Sequence, residues 1–348
     1  RDERIDWEGL TASAETLVVM MGTRWLDDIA QRVIAGGRDP STPVAVIEEG
    51  TTPRQRVVVA PLGAVAESVR RAGLRAPTTI VIGEVARLRD TLAWYERRPL
   101  FGRRVLVTRA HGQSAELQVA LLARGAEPVC VPLLEFATPR DPEPLERALA
   151  QRERFEWIVF ASANAVRATA ERLRGGAARI ACIGPATARA ARAAGLAPTF
   201  EPSSRALPET LVARLQSLGS LEGARVLLPR ADRAREALAE ALAAAGARVT
   251  AVEAYRSVTP EGAGPRLAAA LRAGVDAVLL ASPSAVHAFL DLGGSASGGP
   301  VLACIGPTTA RALRERGHEP QVVAEHQTGE DWVSALEGYF AEESDAVS

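Results

Sequence analysis

The chain has 348 residues, 47% of them hydrophobic and 24% charged, enough apolar side chain for two or three cores and far from the composition of a disordered protein. Its 41 basic and 42 acidic residues leave a net charge of -1, which excludes a surface built for nucleic acid, so any anion site must be local. Every basic residue is Arg, and the lack of Lys excludes both a lysine-terminated phosphate loop and a lysine Schiff base.

Three Cys, at positions 130, 182 and 304, fit neither a disulfide framework nor a paired-cysteine metal site, and the four His share no ligand spacing. A reducing cytoplasm is the expected location. No secretion signal and no apolar run of membrane-spanning length is present, so no membrane partner is expected. The first residue is Arg1 rather than Met, and Arg1 to Leu10 reads as the interior of a longer sequence, which predicts an N-terminal truncation.

Short Val/Ile/Leu runs alternate with Ala/Arg/Leu/Glu stretches of helical period throughout, the pattern of an α/β protein whose parallel sheets are covered on both faces. The first series predicts strands near Thr16 to Met21, Pro43 to Glu48, Gln55 to Ala60 and Thr79 to Ile82. Helices are predicted near Trp25 to Ala35 and Leu62 to Ala72, closed by Gly36 and Gly73. After a helix ending near Trp94, the charged stretch Tyr95 to Gly102, with Pro and Gly, reads as a linker.

From Arg103 the sequence repeats itself. Arg104–Ala110 returns as Arg225–Ala231 and Gly125-Ala126 as Gly246-Ala247, while Ser162–Val166 returns as Ser282–Val286 and Ala181–Pro185 as Ala303–Pro307, all near one offset of 121. So long a period means two homologous α/β domains rather than a solenoid. Each Ile-Gly-Pro segment should end a strand and open a helix, with Pro in the first turn, at the sheet edge where open α/β domains place ligands. Thr187 and Thr309 then lie in the first helical turn; the plain reading of Ser162, Ser282, Thr187 and Thr309 is N-capping, and their duplication makes them candidates for a shared anion site. Arg109 and Arg230, at the ends of equivalent strands, are candidates for carboxylate binding. No nucleotide, zinc-protease, serine-hydrolase or calcium motif occurs.

The opening Arg103-Arg-Val-Leu-Val-Thr-Arg109, Val131–Glu135, Phe160–Val166, Ile183–Ala188, Ala254-Tyr255-Arg256 and Ile305–Ala310 together resemble the uroporphyrinogen-III synthase family from about Arg103 to Tyr339. The resemblance implies two flavodoxin-like parallel-sheet domains joined by a two-stranded connector, here 103–134 with 258–341 and, for the second, 135–257. It implies a hydro-lyase that closes hydroxymethylbilane, a chain of four pyrroles with eight carboxylates, with loss of water and inversion of the last ring. No cofactor or metal is implied, and hydroxymethylbilane synthase is the implied upstream donor. By the same resemblance Tyr255 would assist departure of the hydroxyl, while Arg109, Ser162, Asn164, Gly184, Thr187, Arg230, Ser282, Ser284, Thr308 and Thr309 would bind substrate.

Residues 1–97, through Thr16–Gly22, Ile47–Thr51 and Val81–Val85, resemble the C-terminal part of uroporphyrinogen-III C-methyltransferase, with 98–102 as the linker. That likeness implies S-adenosylmethionine contacts at Met21, Gly50 and Thr78, in a donor site whose Gly-rich half the chain lacks. Two alternatives stand beside this reading: a tail of a bifunctional methyltransferase and synthase, and a non-catalytic two-lobed binding module.

Overall fold

The computed structural model of the chain describes residues 5–200, 207–232, 236–295 and 299–347; the first four residues of the lead segment lie outside these. The chain forms two compact units, Arg1–Leu133 with Gly262–Ser348, and Leu134–Glu261.

The lead segment makes a four-stranded sheet of β1 (Leu17–Met20), β2 (Pro43–Glu48), β3 (Arg56–Pro61) and β4 (Thr78–Ile82) in the order β1-β4-β2-β3. All three pairings are antiparallel, which corrects the parallel arrangement expected of this segment. Only residues 49–55 join β2 to β3, too few for the crossover that a parallel pair requires. Helices Leu26–Ala35 and Val65–Ala72 cover one face, through Ile29, Val33, Val65 and Val69. The other face leaves Val18, Met20 and Val59 exposed, so this sheet is not sandwiched as its sequence pattern implied. Gly73 closes its helix in the left-handed conformation at φ 66°, whereas after Ala35 that conformation falls on Gly37 instead of Gly36.

Within the first unit, β5 (Arg104–Val107), β6 (Glu127–Cys130), β13 (Ala277–Leu280), β14 (Val301–Cys304) and β15 (Val322–Val323) form a parallel sheet ordered β15-β14-β13-β5-β6. The second unit sets β8 (Trp157–Phe160), β9 (Arg179–Cys182), β10 (Pro198–Phe200), β11 (Arg225–Ala231) and β12 (Arg248–Val258) in parallel as β10-β9-β8-β11-β12. The short antiparallel strand β7 (Glu135–Ala137) is added at its edge. The five parallel strands of each sheet are two from one sequence repeat and three from the other, so the repeats are not the sheets.

Tyr95 to Gly102 is packed rather than free. Leu100 is fully buried in the core that contains Val105, Leu121 and Trp332. Its amide donates to the Arg124 carbonyl at 3.0 Å, and the Gly102 amide to Gly125 at 3.3 Å. A side chain at Gly125, which has φ 83°, would meet Phe101 Cα and Arg98 Cβ at 3.0 Å. Arg98 stacks over Trp94 and Tyr95, and Arg54 of the lead segment pairs with Glu127 of β6 at 2.8 Å. Local composition favours a linker here, but one apolar side chain seated in the next core overrides it.

Leu100→Ala should therefore destabilise the first unit by about 2–5 kcal/mol. Urea unfolding followed by hydrogen exchange of the β5 amides will read this; protection unchanged from the parent chain would show that Leu100 is not part of that core.

Candidate functional site

Parallel register decides which residues meet. In the second unit Phe160 lies beside Cys182 on neighbouring strands, so the chain leaves both strands at one edge and starts two helices there, Ala163–Leu173 and Pro185–Ala193. Ser162 and Gly184 are the residues before those helices, each in extended conformation. The first unit repeats this: Leu280 lies beside Cys304, and Ser282 and Gly306 precede helices Pro283–Asp291 and Pro307–Arg314. Each edge thus offers two helix starts with unpaired amides and partial positive charge, each contributing roughly 0.3 to 1 kcal/mol toward an anion.

Ser162 and Ser282 are caps: their hydroxyls accept from the amides of Ala165 (3.1 Å) and Ala285 (3.2 Å). Thr187 and Thr309 are not, because Gly184 and Gly306 hold the capping positions; the two threonines sit in the first helical turn, buried to 5% and 3% exposure. Thr308, next to Thr309 in the chain, and Ser284, early in the helix that Ser282 caps, are exposed. Asn164 is half-buried and accepts from the Arg167 guanidinium at 2.8 Å. Arg109, two residues beyond β5, is half-buried. Arg230, near the end of β11, has a carboxylate already beside it, Glu236 at 2.7 Å.

Tyr255 lies on β12 and is 8% exposed. Its hydroxyl is 3.0 Å from Ser162 Oγ, a contact across 93 residues that no sequence pattern marks. The ring packs edge-on against Phe136 of β7, with centroids 5.6 Å apart, a neighbour that the sequence reading also missed. Opposite β11, Arg230 pairs with Glu253 but Ala231 pairs with Tyr255, so β12 carries one extra residue at this point. Such a bulge turns a side chain away from strict alternation, and both Ala254 and Tyr255 reach the same core as a result.

In the lead sheet, Met20 pairs with Thr79 and Glu48 with Thr78, which puts Met21, Gly50 and Thr78 at one end of the sheet. Met21, Glu49 and Thr51 there have φ of 59°, 45° and 64°, a left-handed conformation that is a strain for side chains, above all for β-branched Thr51. Met21 is 74% exposed and Gly50 is exposed, while Thr78 is buried with its hydroxyl 2.5 Å from that of Thr23. Among the described residues no cluster of His, Cys, Asp and Glu could hold a metal ion, and no helix is long and apolar enough to cross a membrane. Burial pushes the Cys304 thiol up to about 12, so it stays protonated and inert.

A family model described as Uroporphyrinogen-III synthase HemD matches residues 115–334, and one described as Tetrapyrrole (Corrin/Porphyrin) Methylases matches residues 1–66. The chain is 32% identical over 257 residues to the uroporphyrinogen-III synthase of Synechococcus elongatus, covering 69% of this chain and 96% of that protein. It is 51% identical over 94 residues to the siroheme synthase of Azotobacter vinelandii, covering 27% of this chain. The chain spans 20% of that siroheme synthase and 39% of the porphyrin biosynthesis protein HemD of Ruminiclostridium josui. Among solved structures, a mutant uroporphyrinogen III synthase from Thermus thermophilus shares the fold over 69% of this chain and 99% of that one, with a TM-score of 0.50 at 21% identity.

Because Ser282 caps its helix and Ser284 does not, Ser282→Ala should lower stability by about 1 kcal/mol and Ser284→Ala by less than half of that. Urea midpoints of the two variants test this; equal midpoints would remove the cap as the main role of Ser282.

Proposed function

The chain belongs to the uroporphyrinogen-III synthase family, and from that premise we propose that it closes hydroxymethylbilane to uroporphyrinogen III, with loss of water and inversion of the last ring. The observation that carries this reading is the pair of helix starts repeated at each parallel-sheet edge: backbone amides, a cap serine and a nearby Arg, without a strong excess of charge. Eight carboxylates need many modest anion contacts, which amides supply without giving the chain a basic surface.

The substrate is itself reactive. Once its terminal hydroxyl leaves, the azafulvene that forms can be attacked by the last ring at its substituted carbon, through a spiro intermediate. The protein's task is to fold the bilane into that geometry and to help the hydroxyl go. Arg109, Asn164, Gly184, Thr187, Arg230, Ser282, Ser284, Thr308 and Thr309 are the proposed substrate contacts. For Arg230 this requires the substrate carboxylate to displace or share Glu236. Tyr255 is the proposed donor to the departing oxygen. This chemistry needs no cofactor; hydroxymethylbilane synthase, in the cytoplasm, would be the source of substrate.

S-adenosylmethionine is implied by the methylase likeness of the lead sheet, and the described residues do not fit it on their own. Met21 and Gly50 are open to solvent and the Thr78 hydroxyl is engaged by Thr23, so they form one wall and no enclosure. The strain kept at Met21, Glu49 and Thr51 favours a second reading, in which this end of the sheet completes a methyl-donor site with residues from a longer chain. This chain by itself should then form no methylated product from uroporphyrinogen III and S-adenosylmethionine; mass spectrometry decides, and any methylated tetrapyrrole overturns the claim.

Tyr255→Phe should slow cyclisation about 100-fold, the low end for general acid assistance, without changing which isomer forms. Initial rate and product isomer ratio measured together test both halves. Full activity would remove Tyr255 from the mechanism, and enzyme-bound formation of the type I isomer would show that water loss and ring inversion share one residue.

A further inference from the structure

The strongest unexplained arrangement in the second unit is the double engagement of Ser162. A serine hydroxyl has one hydrogen and two acceptor sites. One acceptor site is taken by the Ala165 amide at 3.1 Å, which the helix start fixes in place. The other contact is Tyr255 Oη at 3.0 Å, in which either oxygen can be the donor. If the phenol donates, its hydrogen is spent on Ser162 and it has nothing to offer a substrate. If Ser162 donates, the phenol hydrogen is the one left over.

From this we infer that Ser162 is a positioning residue for Tyr255, not a ligand for substrate. It turns its hydrogen to the phenol oxygen so that the phenol donates outward. The inference rests on the reading of Tyr255 as donor to the departing hydroxyl. The resulting chain runs Ala165 N–H to Ser162 O–H to Tyr255 O–H to the leaving oxygen, every member donating in the same direction. Hydrogen bonds arranged this way strengthen one another, and the partial positive charge of the helix start stands at the head of the chain.

In the step itself the carbon–oxygen bond breaks with its electron pair on oxygen, the phenol proton goes to that oxygen, and water leaves. Ser162 then holds the phenolate by the same hydrogen bond. The proton shed by the attacking pyrrole on ring closure restores the phenol, so no other reactant is needed.

Two observations besides the hydrogen bond point the same way. The extra residue in β12 falls beside Tyr255 and brings its ring to the face where Ser162 starts its helix; regular alternation would have sent it to the other face. Among the described residues the duplicated serine has no such partner: Ser282 meets the Ala285 amide, and the offset of 121 that relates Gly125 to Gly246 relates Tyr255 to Leu134, which has no hydroxyl. A serine needed only as a cap would not require the bulge.

The test is a set of variants assayed for kcat and KM separately. Ser162→Gly removes the hydroxyl, yet Gly is itself a tolerated cap, so the helix should persist. Its kcat should fall about 10-fold to 100-fold with KM changed by less than about 3-fold. Ser162→Thr, which keeps both cap and donor, should recover most of that loss. Ser162→Asp is a second check on folding: it caps well but can only accept, so it should pull the phenol hydrogen inward and depress kcat as far as Tyr255→Phe does.

Combining Ser162→Gly with Tyr255→Phe should be no slower than Tyr255→Phe alone, since Ser162 acts only through the phenol. Multiplicative losses in the double variant, or a raised KM with kcat intact, would mean that Ser162 meets substrate directly and would overturn the inference. So would an active Ser162→Asp. If Tyr255→Phe alone is fully active, it is the role of Tyr255 that fails, a result distinct from a slow Tyr255→Phe beside an unaffected Ser162→Gly, which sinks only the inference about Ser162.

Discussion

A strand in a parallel sheet cannot turn directly into its neighbour; the chain must leave at one edge and return by a crossover. Every strand of both five-stranded parallel arrays therefore delivers its continuation to the same edge, and the residues just beyond the strand ends are gathered without any contact having to be specified between them. Phe160 beside Cys182 and Leu280 beside Cys304 are enough to set Ser162 next to Gly184 and Ser282 next to Gly306. The rest of the proposed chemistry depends on this. The lead sheet shows the contrast: with antiparallel pairing its end collects Met21 and Gly50, which follow strands, together with Thr78, which begins one.

The second constraint is that neither sequence repeat completes a sheet. β5 and β6 of the first repeat lie with β13, β14 and β15 of the second, and β8, β9 and β10 of the first lie with β11 and β12 of the second. A repeat cut out at its sequence boundary would leave the central edge of a sheet unpaired, with ladder groups and apolar faces open to water. The exchange also decides which candidate residues share an edge. Arg109 from the first repeat stands with Ser282 and Thr309 from the second, and Arg230 from the second with Ser162 and Thr187 from the first. Both sheets have the order of a flavodoxin-like array when strands are numbered from β5 or from β11, so the second is a circular permutation of the first.

What could be read from the sequence was whatever is local. The α/β class, the Ile-Gly-Pro turns and the cap serines each depend on a few adjacent residues. The antiparallel lead sheet is legible too, since no helix fits between Glu48 and Arg56, although the apolar runs alone read as buried parallel strands. Thr187 and Thr309 fall in the first helical turn, as the Ile-Gly-Pro pattern predicts, with Gly184 and Gly306 rather than the threonines at the caps. Tyr95 to Gly102 misleads for the opposite reason: its Pro and Gly describe a turn, and nothing nearby tells that Leu100 enters the next core. The Ser162 to Tyr255 contact was out of reach, because it depends on one extra residue in β12 and joins positions 93 apart.

Duplication and catalysis make opposite demands on such a fold. Repeated helix starts treat like groups alike, which suits a substrate whose carboxylates recur along its length. Loss of one hydroxyl and inversion of one ring happen at a single place, and a symmetric set of turns cannot single it out. Something present once must do so. Where this half carries the Tyr255 phenol, the residue that the repeat relates to it is Leu134, and the bulge beside Tyr255 is a backbone change made at that same point. In the proposed reaction the amide-lined edges would hold the polyanion, and the phenol, oriented by a serine whose counterpart among the described residues serves as a cap, would give the reaction its one-sidedness.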